Sequence, residues 1–420
     1  MKSLSFLLLA AALVPPAARA ALTLDAALAR TAAQHPRLLA QASRVDAATA
    51  AAERAGYAPN PVLNVTLENF AGTGEARGAD ILEGTVEYSQ TIERGDKRAR
   101  RTAVATAERE IASREGAVTR ATIAGSAARD YVAAVVAAQR LAIARSLADL
   151  ARAAVQDADA RYAAGDASAT EPARAQAALA IALADLARRE VAVTQARSAL
   201  AAHWAGEPAD AVPQEDTVRL PAALPDATTW RARLEQHPLL ALEQARLTSH
   251  RAAIDLEQAN ATPDLNVAGG VRYLNASSDA AFVAAIAVPL PVRHRNQAGI
   301  RAAQQALATA EYEAGAATRE LRASFSAAWQ DLVAAYAAAQ QLRDQALPAA
   351  VNATVVLRRA RTAGQASQFE VLETERVHGS LRRELLDQEA AFADALVRLE
   401  TLVDPSFPAT RQLLAPPSSS

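Results

Sequence analysis

The sequence predicts a mainly α protein with a small β part, built from long helical hairpins and four short strands. Three observations predict it. One structural unit is written twice along the 420 residues. Each copy holds a nearly proline-free stretch of about 65 residues, on the order of 100 Å as helix, too long for the interior of a globular domain. Each copy also holds a pair of short stretches in which apolar and polar residues alternate. Composition agrees: hydrophobic residues make up 51% of the chain but aromatics only 4%. Alanine supplies much of the remainder, which suits long thin packing in which backbones approach closely and cannot fill a large spherical core.

In chain order, residues 1–20, "MKSLSFLLLAAALVPPAARA", have Lys2 as a positive start, an apolar run from Leu4 to Val14 and a small-x-small site at Ala18-Arg19-Ala20. This is the pattern of a secretory signal peptide, so the mature chain is expected to be exported. With no cysteine, disulfides and a lipidated cysteine are both excluded, and packing or partner subunits must hold the fold. No 18-residue apolar run is expected after the signal, so insertion into a membrane would need β-strands.

The repeat comes next. Residues 25–65 overlay 227–267 at a shift of 202, placing His35-Pro36 on His237-Pro238, Pro61 on Pro263 and Leu63-Asn64-Val65 on Leu265-Asn266-Val267. The expected units are 21–206 and 227–404, joined by a linker at 207–226 and followed by a flexible tail at 405–420. Each unit opens with about 30 residues of helix, over 25–57 and 227–260, stopped by Pro59 and Pro61 or by Pro263.

Two hairpins follow, near 62–92 and 264–290. In the first, Leu63, Val65 and Leu67 alternate with Asn64, Thr66 and Glu68, and Val86 and Tyr88 with Thr85, Glu87 and Ser89. In the second, Val267, Val271 and Tyr273 share a face, as do Phe282, Ile286, Val288 and Leu290. Alternation of this kind marks strands that can cross a membrane, with one face to lipid and one to water. After the hairpins come the long helices, from Lys97 to Ala163 and from Arg301 to Ala363, the second interrupted only by Pro348. Tip turns near 164–170 and 363–368 then reverse the chain into return helices from about Glu171 to Trp204 and Ser367 to Val403. A return helix covers half the outgoing length, so the opening helix of each unit supplies the other half, and the expected protomer is a rod. Four strands cannot close a barrel, and open edges cannot face lipid. Three copies supply twelve strands, so membranous hairpins predict a trimer.

Several function classes fall away. The net charge of −2 offers no basic surface for nucleic acid. The six histidines, His35, His203, His237, His250, His294 and His378, show no metal-binding spacing, and Met1 is the only methionine. His35 and His237, each before a proline, read as structural turn residues. No nucleophile-base order or phosphate loop appears, so neither an enzyme nor a cofactor is expected. A soluble periplasmic coiled-coil adaptor or chaperone-like binding protein is the alternative to a channel.

The two turns are "RYAAGDASATEPARAQAAL" (161–179) and "RRARTAGQASQFEVLETER" (358–376), each with a glycine, a serine three residues on and glutamates beyond. With "YAPNPVLNV", "ATPDLNV", "YSQTIERGDKRARR" and "VPLPVRHRNQAGIRAAQQALATAE", they resemble the TolC-like outer-membrane efflux proteins of Gram-negative bacteria. "SQTIERGDKRARR" looks most like the CzcC-like heavy-metal (cobalt-zinc-cadmium) branch. The resemblance implies a homotrimer whose twelve-stranded barrel sits in outer-membrane lipid and continues into a helical α-barrel across the periplasm. It implies a periplasmic adaptor (membrane fusion) protein and a proton-driven inner-membrane pump of the resistance-nodulation-division type as partners, and a passive duct for divalent metal cations as function. Aligned on the turn glycines, the candidate periplasmic gate is Glu171, Glu370 and Glu373, with Arg361 where relatives can carry tyrosine and Ala366 where some carry a gate arginine. The candidate adaptor-docking tip is Arg161, Gly165, Ser168, Arg361, Gly364 and Ser367. Acids also favour the first turn of any helix, and residue type leaves both readings of the glutamates open.

Overall fold

The computed structural model describes residues 22–214, 217–366 and 368–414. The expected signal peptide and Ser367 lie outside them. The chain forms two compact units, and both draw on both sequence repeats. One gathers residues up to 36, 121–231 and from 325 on; the other comprises 37–120 and 232–324.

In the second unit lie the four strands β1 (Val62–Glu68), β2 (Glu83–Ile92), β3 (Leu265–Leu274) and β4 (Asp279–Ala287). They form one antiparallel sheet in the order β1-β2-β3-β4. Register puts Leu63 opposite Tyr88, Val65 opposite Val86 and Leu67 opposite Gly84. The row continues from Val86 to Val271 and from Val271 to Phe282. Because side chains alternate across a strand, this one face collects Leu63, Val65, Leu67, Val86, Tyr88, Val271, Tyr273, Phe282 and Ile286, all exposed. β4 ends at Ala287, short of Val288 and Leu290, which the expected alternation includes.

The opening helices are each divided in two. α1 (Leu24–Gln34) stops before α2 (Pro36–Ala55), and later α5 (Ala227–Leu234) stops before α6 (Pro238–Asn260). Pro36 and Pro238 cause both breaks: each bars helical φ/ψ at the preceding histidine, and proline at the first helical position lacks only an N–H that would have no partner anyway. His35 and His237 adopt extended backbone accordingly. His237 caps α6 by accepting the Leu239 N–H on Nδ1 at 3.1 Å, and burial lowers its pKa, favouring the neutral ring that this bond requires.

The outgoing helices differ between repeats. α3 (Lys97–Ala163) is unbroken over 67 residues. Its counterpart is α7 (Gln297–Gln341), a π-helical turn at Leu342–Ala346, then α8 (Leu347–Thr362). Pro348 has no N–H to give Asp344 and its ring crowds that carbonyl, so the Leu347 N–H bonds Leu342 five residues back. Return helices are α4 (Thr170–Ala201) and α9 (Gln368–Val403).

In the first unit the core is built from small residues, with Ala127, Ala128, Ala148, Ala339, Ala393 and Ala395 fully buried. Packing is tight at Gly125, where a Cβ would sit 2.3 Å from Thr401 Oγ1. Large side chains anchor the ends of this packing. Buried Tyr131 donates to the Leu22 carbonyl at 2.8 Å, and Tyr336, 5.9 Å from the Phe392 ring, donates to the Ala222 carbonyl. Two expectations need correction. One 18-residue window of α3 is apolar enough to cross a membrane by length and composition; its alanines and valines around Tyr131 are core residues, and alanine makes both kinds of helix read alike. The tail expected at 405–420 is ordered through 414. It forms α10 (Pro408–Leu413), whose first N–H groups at Ala409 and Thr410 bond the carboxylate of Glu400, itself 1% exposed. The linker also packs: Ala211 and Val218 are buried, and Leu22 bridges Pro213.

Candidate functional site

Opposite the apolar row, the sheet's other face is polar. Arg272 lies at its centre, donating through Nε to Thr85 Oγ1 at 3.0 Å and through Nη1 to Glu83 at 2.9 Å, with Glu68 at 3.7 Å. Asn64 donates to Glu87 at 3.5 Å. A sheet with one exposed apolar face, one ion-paired polar face and two open edges can separate lipid from water once copies close it into a barrel.

The stretch "TIERGDKRARR" staples the sheet to the helices. Gly95 (φ +72°) and Asp96 (φ +58°) turn the chain out of β2, and a Cβ on Gly95 would lie 2.9 Å from that of Thr262. Beyond the turn, Lys97 donates to Asp264 at 2.8 Å and the Arg94 N–H to the same oxygen at 3.1 Å. Burial raises the Asp264 pKa, but these bonds outweigh it and hold the carboxyl below its ordinary value. Arg101 binds Glu93 twice, at 2.5 and 3.3 Å, and the carbonyls of Ala55 and Tyr57. The hydrogen bonds from Arg101 to Glu93 raise its pKa against the opposing effect of burial.

At both helical tips the backbone does the same thing. In the first, Gly165 (φ +82°) follows α3, its N–H bonds the Tyr162 carbonyl and the Asp166 N–H bonds that of Arg161. In the second, Gly364 (φ +73°) bonds Arg361 and Gln365 bonds Ala360. This double closure needs a left-handed residue and explains each glycine. Among the gate candidates, Glu171 is paired with Arg161 at 3.1 Å, and Arg161 also donates to the Asp166 carbonyl. Ser168 Oγ is 2.6 Å from Thr170 Oγ1, and its carbonyl accepts the Glu171 N–H. Glu373 is 3.8 Å from Arg376 one turn on, and Glu370 lies exposed in the first turn of α9. Glu171 and Glu373 thus each pair with an arginine of their own turn or helix.

Arg361 instead reaches across to α3, donating to both carboxylate oxygens of Asp157 at 3.0 and 3.2 Å. Arg358 pairs with Glu375 between α8 and α9. Sequence reasoning missed Asp157, Arg358 and Glu375. Asp157 and Arg361 stand 204 residues apart, and no local pattern signals such a pairing.

His203 Nε2 is 2.7 Å from Asp130, and its ring lies 5.8 Å from that of His35. Among the described residues no group of three or more His, Cys, Asp or Glu is placed to hold a metal ion.

Comparison with known proteins matches these features. The chain is 29% identical over 362 residues to the cobalt-zinc-cadmium resistance protein CzcC of Cupriavidus metallidurans, covering 86% of this chain and 85% of that one. A membrane protein from Pseudomonas aeruginosa superposes with a TM-score of 0.76 at 18% identity over 90% of each chain. The outer membrane protein VceC of Vibrio cholerae gives 0.72 at 18% identity, over 90% of this chain and 95% of that chain. Residues 27–206 and 231–403 match the family described as outer membrane efflux protein, and so the chain belongs to that family.

Proposed function

We propose that this outer-membrane efflux protein is the exit duct of a tripartite system, passively conducting divalent heavy-metal cations from an inner-membrane pump of the resistance-nodulation-division type and its periplasmic adaptor to the exterior. The observation that carries the channel reading is the sheet: four strands with an unbroken apolar outer row, a polar face centred on Arg272, and unpaired edges at β1 and β4. Twelve strands from three copies close those edges. The metal cargo rests on the resistance named for the cobalt-zinc-cadmium relative. As a duct the protein needs no catalytic group and no resident cofactor; selection of the ion falls to pump and adaptor. A secretory signal at residues 1–20 would deliver it.

The tips carry the gate and the adaptor contact in this reading. Arg361 and Asp157 form the latch between the two hairpins of a protomer, and Glu171, Glu370 and Glu373 line the entrance. Arg161, Gly165, Ser168, Gly364 and Ser367 present the turns to the adaptor. Deleting the gene and growing the strain on zinc, cobalt, cadmium, nickel and copper tests cargo: lowered tolerance to one or more metals is expected, and unchanged tolerance to all overturns the metal assignment. A heat-modifiable trimer in the outer-membrane fraction is expected; a monomer in the soluble periplasmic extract overturns the channel.

A further inference from the structure

We propose that residues 288–296, between β4 and α7, form a site for anionic phospholipid, with Leu290 and Val292 among the acyl chains and Arg293, His294 and Arg295 among the headgroup phosphates. The proposal rests on reading the sheet as barrel wall and adds which lipid touches it and where.

Three features carry it. First, the apolar parity of β4 does not stop where its hydrogen bonding stops at Ala287. Phe282 and Ile286 are 94% and 70% exposed, and Leu290 and Val292, beyond the strand, are 76% and 84% exposed. From Phe282 to Leu290 an extended chain would cover about 26 Å, and the Val292 N–H then bonds the Leu290 carbonyl at 2.9 Å in a tight turn at Pro291. Aliphatic side chains this exposed on a segment continuous with a lipid-facing row belong in the same solvent as the row.

Second, the next three residues are basic and uncommitted. Among the described residues the side chains of Arg293, His294 and Arg295 make no hydrogen bond or ion pair; Arg295 is held only through its backbone N–H, by Gln297 at 2.8 Å. Nearby acids are taken by other partners. Glu257 accepts from Asn296 and Asn260, Asp264 from Lys97, Asp255 from Arg100 and Glu93 from Arg101. The three side chains instead border an open groove of about 510 Å³, which Leu290, Val292 and Glu257 also line.

Third, the first repeat leaves its hairpin differently. Residues 93–96, "ERGD", link β2 to α3 without an apolar side chain, and Glu93 is ion-paired. The long apolar-basic exit is thus not a requirement of the strand-to-helix connection. An apolar pair followed by fixed positive charge suits the boundary between acyl chains and anionic headgroups.

The absence of cysteine from the chain allows a direct test. The full protein carrying Leu290→Cys, Phe282→Cys or Tyr312→Cys, labelled with an environment-sensitive fluorophore, is reconstituted in phosphatidylcholine vesicles containing phosphatidylglycerol. Nitroxide quencher is placed on the acyl chains of one lipid or the other. Labels at 282 and 290 should be quenched and the α7 label at 312 spared. At 290, quenching by phosphatidylglycerol should exceed that by phosphatidylcholine roughly fivefold, the enrichment expected of a screened pair of arginines. Arg293→Gln with Arg295→Gln should abolish the preference and leave the quenching. Added inorganic phosphate should not shift it. Quenching at 282 but not at 290, or a 290 label that crosslinks to a second copy, overturns the lipid site and leaves the barrel standing. Equal quenching by both lipids removes the headgroup half. If neither 282 nor 290 is quenched, the barrel reading itself fails.

Discussion

The two helical tips share a backbone and differ in where their arginine goes. Gly165 and Gly364 both adopt positive φ and both close their helix with the same pair of hydrogen bonds. Aligned on those glycines, Arg161 falls on Ala360 and Arg361 on Tyr162, so each tip carries its arginine at a different place in the last turn. Yet Arg161 turns inward on its own loop, to Glu171 and the Asp166 carbonyl, whereas Arg361 leaves its hairpin for Asp157 on the other. The two copies therefore share what the backbone requires and differ in which position carries an arginine, a local brace in the first and a tie between hairpins in the second. Only the second kind of contact can respond to one hairpin moving against the other, which is what a gate must do.

The sharpest way to break this comparison is to cut the tie. Arg361→Gln or Asp157→Asn removes one partly exposed pair per protomer, worth about 0.2–1 kcal/mol each and three times that in a trimer. About a tenfold or larger rise in open probability is expected in planar-bilayer recordings. Exchanging the charges, Asp157→Arg with Arg361→Asp, should restore closure if attraction between the two positions is what holds the gate. A silent Arg361→Gln would show that the cross-hairpin pair does not hold the channel shut.

A second difference between the repeats lies along the outgoing helices. α3 is continuous, while the α7–α8 path carries the π-helical turn forced by Pro348. Beside that turn stands Glu389, whose pKa burial raises to about 7, with Arg343 in the turn pulling it down. A carboxyl with a folded pKa above its unfolded 4.5 binds its proton more tightly in the native state. Its charged form therefore costs stability progressively as pH rises from 4.5 through about 7. Glu389→Gln should stabilise the protein by on the order of 1–2 kcal/mol at pH 8, discounted for its solvent-facing side. It should change nothing at pH 4. Thermal melts of both proteins across that range test the sign as well as the size.

The shared half of the comparison can be tested at the glycines. A Cβ at Gly165 or at Gly364 meets nothing within 4 Å, so Gly→Ala there costs only the left-handed backbone, about 1 kcal/mol. Equal losses of stability at the two sites are expected from denaturant melts. Unequal losses would mean that the turns are not equivalent after all.

How much of this was legible in the sequence follows the same division. Features set by neighbours in the chain could be read: the alternation of Leu63 to Leu67 placed a strand, Gly165 and Gly364 placed the turns, and Pro61 and Pro263 closed the opening helices. The breaks at Pro36 and Pro238 fall inside the helices expected over 25–57 and 227–260, although His35 and His237 read as turn residues, because the apolar spacing on either side runs on at helical period. Contacts set by distant residues left no local trace. Asp157 is one of many acids on α3 until Arg361 is brought beside it, and the tail at 405–414 looks disordered until the buried Glu400 caps α10. Glu171 and Glu370 stand in the first turns of α4 and α9, but that Glu171 is spent on Arg161 is a fact of the folded turn.

The smallest effect is expected at Arg161, and it carries the most weight for the comparison because it serves as its control. Arg161→Gln breaks an ion pair of the same chemistry and similar exposure as the Asp157–Arg361 pair, 33% and 37% against 38% and 33% for the side chains involved. If partly exposed pairs at the tip mattered simply by number, the two substitutions would open the channel alike. Because Glu171 and Asp166 belong to the same turn as Arg161, loss of this brace should cost at most ~0.5 kcal/mol of stability. It should leave open probability within twofold of wild type, since no force between hairpins is removed. An Arg161→Gln channel that opens as readily as Arg361→Gln would move the gate from the tie between hairpins to the charge of the whole tip.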